Sequence, residues 1–141
     1  MIDLQNYFQP DMTPQQVNAM SALALAHIGD AVFELLVRSR LCMLGGCTNG
    51  RLHRDTVAQV CAGAQAELAE KLLPLLTEEE AGVVRRARNA RQTPTKNADA
   101  REYHRATALE ALIGYLYVQG RSERLEALVN AALDSVMDEE E

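Results

Sequence analysis

A chain of 141 residues, 48% hydrophobic and 24% charged, has the size and composition of one domain that folds around its own core, which excludes collagen, low-complexity disorder and disulfide scaffolds. Aromatic residues make up only 4%, Trp is absent and β-branched runs are scarce, a balance that favours helices and predicts an all-α fold. Taken as a total, the net charge of −6 argues against a polyanionic partner.

The first ten residues, MIDLQNYFQP, hold no Lys or Arg and no apolar stretch, so no secretion signal is read and a cytoplasmic protein is expected. Thr13-Pro14-Gln15-Gln16 reads as an N-cap, a Pro at the first helical position and a capping-box Gln, which starts a helix. Leu25, Ile28, Val32, Leu35, Leu36 and Leu41 carry it at helical spacing to Gly45-Gly46, which stops it. A second periodic stretch, with Val57, Val60, Ala64, Leu68 and Leu72, runs from Leu52 toward Pro74, with a break placed near Gly63. Thr77 to Glu80 forms another capping box, whose acids suit a positive helix end. Gln92 to Ala98 reads as a loop, and Asp99 as the cap of a helix that reaches Val118 and is ended by Gly120. Ser122 is read as the cap of the last helix, with Leu125, Leu128, Val129, Ala132 and Val136 as its stripe.

Residues 1–141 therefore read as a single domain without linker or repeat, and the acidic end, about residues 137–141, as a frayed tail. No apolar run reaches the ~18 residues that span a bilayer, so no membrane partner is expected. Three Cys are an odd count, read as reduced, buried or half-buried thiols, and Cys42, Cys47 and His53 lack the paired close spacings of a zinc site.

The distribution of charge reverses the argument from its total. Residues 85 to 105 hold Arg85, Arg86, Arg88, Arg91, Lys96, Arg101 and Arg105 against only Asp99 and Glu102, a local balance of +5 that leaves −11 for the rest. Residues 38 to 54 add Arg38, Arg40, Arg51 and Arg54 with no acid among them. Such segregation points to a polyanion such as nucleic acid, although cations on solvated helix faces are the plainer alternative.

Two carboxylates stand where stability alone would not put them: Asp30 within AHIGDAVF and Glu110 within ALEALIGYLY, each flanked by apolar turns. A carboxylate on a packed helix must be protonated, paired with a cation or bound to a metal, since burying an unpaired charge costs several kcal/mol. Each has a helix-interior Gly nearby, Gly29 beside Asp30 and Gly114 one turn after Glu110, which suggests a close helix approach. If the helices cross there, two distant acids converge as carboxylates do around Mg²⁺. The pattern leaves a metal site and a buried ion pair both open, with Glu34 and Arg38 an example of an i,i+4 pair on the same helix. His27 lies near Asp30 in sequence and is a further candidate contact.

Leu23 to Arg38 (LALAHIGDAVFELLVR) and Ala106 to Tyr117 (ATALEALIGYLY) resemble the two signature helices of the ribonuclease III catalytic domain. The likeness is greatest to its small bacterial branch, the Mini-ribonuclease III proteins, which have no double-stranded-RNA-binding domain. It spans about residues 20 to 133 and includes Leu52-His53, Gln65-Ala66-Glu67, Thr77 to Glu80, Arg88-Asn89-Ala90, Lys96-Asn97 and Tyr103. The resemblance implies an all-helical homodimer that cleaves double-stranded RNA with Mg²⁺, or with Mn²⁺ in its place, to leave 5′-phosphate and 3′-hydroxyl ends. It also implies maturation of the precursor of the large-subunit (23S) ribosomal RNA. By position, Asp30 matches the Asp of the GDA motif and Glu110 the Glu of EA-x-x-G, the catalytic metal-binding pair. Two further acids of full-length ribonuclease III fall at Ala26 and Thr107 here. Arg85, Arg86, Arg88, Asn89, Arg91, Lys96 and Asn97 form the expected RNA-binding set, with Ala87 where the branch usually has Gly and Thr95 where a Pro usually precedes the Lys. Against this stand a non-catalytic helical RNA-binding or ribosome-assembly factor, in which the two acids are ion-paired, and an all-helical nucleotide pyrophosphatase, for which Glu67 and Glu70 alone supply too few acids.

Overall fold

The computed structural model describes residues 7–46, 48–90 and 100–140, and for Ala100 and residues 135–140 the backbone alone. Helix-capping chemistry divides these residues into α1 (Pro14–Asn18), α2 (Ala22–Leu44), α3 (Asn49–Val60), α4 (Ala62–Leu72), α5 (Glu78–Arg88), α6 (Ala100–Val118) and α7 (Ser122–Glu140), with no strand among them. Both expected capping boxes form. The Thr13 N–H donates to Gln16 Oε1 at 2.9 Å while the Gln16 N–H donates to Thr13 Oγ1 at 3.2 Å, and Thr77 and Glu80 repeat the exchange at the same two distances.

Three boundaries differ from the sequence expectation, each for a local reason. The helix begun at Thr13 does not continue into α2, because Ser21 adopts an extended conformation (φ −70°, ψ 154°) and its hydroxyl accepts from the Ala24 N–H. The break in the second stretch falls at Cys61 (φ −67°, ψ 157°), two residues before Gly63. Ser122 is the first residue of α7, not its cap, and Arg121 occupies the capping position with its carbonyl accepting from the Leu125 N–H. Asp99 lies outside the described residues, and α7 carries the backbone of the acidic tail in helix as far as Glu140.

Helix α6 is the axis of the molecule. Ala106, Ala108, Leu109, Ala111, Leu112, Ile113, Tyr115, Leu116 and Val118 are all buried, so the helix is covered on nearly every side, by α2, α4, α5 and α7. It ends as expected at Gly120 (φ 72°), where the Arg121 N–H reaches back to the Leu116 carbonyl at 3.0 Å. Glu80, fully buried on α5, is joined by Arg124 of α7 through two hydrogen bonds of 2.9 and 2.7 Å, and this pairing, with the Thr77 cap, holds its carboxyl below the ordinary range despite burial.

The contact of α2 with α6 is set by two glycines. A Cβ on Gly29 would lie 1.7 Å from the Glu110 carbonyl oxygen, and one on Gly114 would lie 2.0 Å from the Leu25 carbonyl oxygen. The backbones touch, as the placement of Gly29 and Gly114 suggested. Elsewhere the apolar pattern overreaches: Leu35 and Val57 are 62% and 50% exposed, off the core they were expected to join. Cys42 and Cys61, expected to be buried or half-buried, are exposed free thiols. No helix among the described residues is long and apolar enough to cross a membrane.

The Gly29→Ala variant is expected to lose about 3 kcal/mol or more in denaturant unfolding, because its methyl meets backbone that has nowhere to move. Gly50→Ala, where nothing lies within 4 Å, should stay within about 0.5 kcal/mol of the parent.

Candidate active site

The crossing brings Asp30 and Glu110 together. Asp30, next to Gly29 on α2, is exposed, while Glu110, whose own carbonyl receives Gly29, is half-buried. Burial and then the negative charge of Asp30 push the Glu110 carboxyl up to about 7, and a hydrogen bond from the Gln65 side chain opposes the rise. Among the described residues neither carboxylate has a basic partner, so the pair is not one half of a buried salt bridge. Two like charges held at one point without a protein cation form a hard-oxygen donor set suited to Mg²⁺ or Mn²⁺.

Ala26 and Thr107, where the resemblance places two further acids, bring no carboxylate to the crossing. Ala26 is buried, and Thr107 is buried with its hydroxyl donating to the Tyr103 carbonyl at 3.0 Å. Among the described residues no group of three His, Cys, Asp or Glu side chains gathers to hold a metal. His27 is exposed and shares no hydrogen bond or ion pair with Asp30. Gln65 is the residue that pattern reading passed over. It shares the i, i+3, i+7 face of α4 with Leu68 and Leu72, and a polar side chain on such a face is the signal that would have found it.

The expected RNA-binding set is divided. Arg85 and Arg86 are exposed in the last turn of α5, and Asn89 caps that helix. Arg85, Arg88 and Asn89 line one groove with Leu73, Ala81 and Val84, whereas Arg86 lines another with Val17, Leu25 and Tyr115. Arg88 lies 3.7 Å from Glu70, whose carboxylate also receives Arg105 at 3.0 Å. Arg91, Lys96 and Asn97 lie outside the described residues. The second basic segment loses most of its charge to acids from elsewhere in the chain or a turn away: Arg38 pairs with Glu34 at 3.1 Å, Arg40 with Asp134 at 2.5 Å and Arg51 with Asp55 at 3.6 Å.

An all-helical domain with two signature helices crossing at glycines and an acidic pair at the crossing has the features of a nuclease catalytic domain. The family described as "Ribonuclease III domain" matches residues 23–121. A Mini-ribonuclease 3 of Symbiobacterium thermophilum is 46% identical over 115 residues, 81% of this chain and 88% of that protein. One of Gloeobacter violaceus is 48% identical over 119 residues, 84% of this chain and 87% of its own length. The crystal structure of a Fusobacterium nucleatum protein superposes with a TM-score of 0.75 at 31% identity, covering 85% of this chain and 97% of that one. The chain belongs to the ribonuclease III family, among relatives named Mini-ribonuclease 3, and is a nuclease that hydrolyses RNA.

The raised Glu110 carboxyl has a sign that can be checked. From its ordinary value of 4.5 up to about 7 the folded protein retains a proton that the unfolded chain has lost, so stability falls as pH rises through that window. In EDTA, the melting temperature of Glu110→Gln relative to wild type should therefore increase from pH 5 to pH 8 in calorimetry.

Proposed function

We propose that the chain is a metal-dependent endoribonuclease that cuts double-stranded RNA as a homodimer in the cytoplasm, with precursor large-subunit (23S) ribosomal RNA as its substrate. The observation that carries the reading is the acidic pair: Asp30 and Glu110 meet at the crossing, repel one another and have no basic partner among the described residues. Asp30 and Glu110 would hold Mg²⁺, or Mn²⁺ in its place. When bound, the cation lowers the pKa of a coordinated water and neutralises charge on the phosphate. No side chain is required as a nucleophile, which agrees with 5′-phosphate and 3′-hydroxyl products. Arg85 and Arg86, exposed and without acid partners among the described residues, supply phosphate contacts that read duplex shape. Arg88 and Asn89 share the groove of Arg85, and Arg91, Lys96 and Asn97 follow them in sequence as the rest of the expected set. A dimer is supported by large apolar side chains left in solvent on α2 and at its end and on α3: Leu35, Met43, Leu44 and Val57.

The direct test is long double-stranded RNA incubated with and without Mg²⁺. Asp30→Asn and Glu110→Gln are expected to fold, to bind RNA as wild type does and to cleave it not at all; near-normal cleavage by either at saturating Mg²⁺ would refute the assignment. Replacing Arg85 and Arg86 by Ala should weaken binding to every duplex and reduce the slope of log affinity against log salt by about 0.9 for every phosphate that is no longer neutralised, the value for duplex DNA. Replacing Arg88 alone should do less, because Glu70 already engages it. Since the two strands run in opposite directions, one acidic pair addresses one strand. Wild-type subunits exchanged with an excess of Asp30→Asn subunits should leave duplexes nicked on one strand, visible on native against denaturing gels.

A further inference from the structure

The side chain of Gln65 is almost wholly enclosed, at 1% exposure, yet it is polar and stands on the core-facing side of α4. Nε2 donates to the Val60 carbonyl at 3.0 Å, and the amide lies beside the Glu110 carboxylate, whose charged form it favours. A carbonyl can only accept, so the Val60 contact fixes which end of the amide carries the N–H groups. Val60 closes α3, where the last carbonyls have no helical partner, and Cys61 turns the chain into α4. One amide therefore ties the α3–α4 elbow to the acid on α6.

The acceptor is unused. Gln65 Oε1 is buried and has no hydrogen-bond partner. An amide oxygen in that condition costs about 1–3 kcal/mol, and no fold needs a Gln here for packing alone, since an apolar side chain of the same length fills the same volume without the penalty. A donor that arrives with the functional state removes it. Beside two carboxylates that hold a cation, the donor at hand is water, because a cation such as Mg²⁺ keeps several waters when few protein ligands bind it.

We propose that Gln65 is the positioning residue of the site: its amide N–H groups hold Glu110 in place against the α3–α4 elbow, and its Oε1 accepts a hydrogen bond from a water of the cation bound by Asp30 and Glu110. This rests on the metal reading of the acidic pair. Gln65 itself does not touch the ion. It acts as partners behind metal ligands do, restricting the orientation of the ligand carboxylate.

The test uses Mn²⁺ as probe, titrated into the full-length chain and followed by electron paramagnetic resonance, with Asp30→Asn as the control that abolishes binding. Gln65→Met keeps length and volume and removes all three hydrogen-bonding positions. It is expected to weaken Mn²⁺ binding by about 10–100-fold and to lower kcat for double-stranded RNA, with RNA affinity in EDTA unchanged. Gln65→Asn keeps the amide but shortens the reach, and should show a loss of the same kind if Gln65→Met fails to fold. Mn²⁺ affinity within twofold of wild type in a folded variant, with only the melting temperature lowered, would mean that Gln65 merely caps α3 and would overturn the proposal. Wild-type protein that binds no Mn²⁺ would instead refute the reading of the acidic pair, and this proposal with it.

Discussion

Everything in the molecule that bears on chemistry depends on how closely α2 and α6 approach. At Gly29 and Gly114 each helix presses on a backbone carbonyl of the other, at distances no side chain could share. A glycine inside a helix costs about 1 kcal/mol relative to alanine, so two of them at one crossing require a compensating gain. Burial of the apolar flanks supplies it: Leu25, Phe33 and Val37 on α2 and Leu109, Leu112, Ile113 and Leu116 on α6 are all 5% exposed or less. Because Asp30 follows Gly29 and Glu110 supplies the carbonyl that Gly29 receives, the contact that builds the core also aligns the acids.

Comparison with acids paired elsewhere in the fold sets the half-buried Glu110 apart. Glu80 is more deeply buried than Glu110 and is fully answered, by a capping threonine and a two-pronged arginine. Glu70, half-exposed, has Arg88 and Arg105. Glu34, Asp55 and Asp134 each have an arginine. The chain thus has the means to neutralise a carboxylate, and among the described residues Asp30 and Glu110 have no such partner. Glu110, half-buried beside Asp30 and without such a partner among the described residues, has a raised carboxyl instead, which a bound cation would lower again.

Much of this was legible in the sequence because it is local. Capping boxes at Thr13 and Thr77 specify helix starts within four residues, and Gly120 specifies a stop. The acids at Asp30 and Glu110 stand out because apolar turns surround them, and the adjacent glycines announce the crossing. The rest depends on partners far apart in the chain. Arg124 reaches Glu80 across 44 residues and Arg40 reaches Asp134 across 94, pairings that charge counted by segment cannot register. Ser21 and Cys61 interrupt helices whose apolar spacing continues through the break, which periodicity cannot register. Leu35 has the right spacing for the core and the wrong azimuth by one position, since Phe33 and Val37 occupy the buried face.

The replacements at Ala26 and Thr107 change what the remaining groups must do. In a cage of several carboxylates each ligand is partly oriented by the ion and by its neighbours, and removal of any one of them is shared among the others. Here Asp30 is exposed, with solvent free to compete for it, and Glu110 is the only acid at the crossing with enclosed surroundings. As a ligand of the proposed cation, Glu110 would therefore have its position set by protein, not by other ligands. The Ala/Leu-rich environment of α6 offers it no polar neighbour on its own helix within a turn except Thr107, whose hydroxyl is engaged with the Tyr103 carbonyl. The polar contact must come from a neighbouring helix, and α4, packed along α6, brings Gln65 to that place. If Asp30 and Glu110 hold the proposed cation, a reduced set of acids and a buried glutamine are two aspects of one arrangement, in which an amide would take over the orienting work of additional carboxylates.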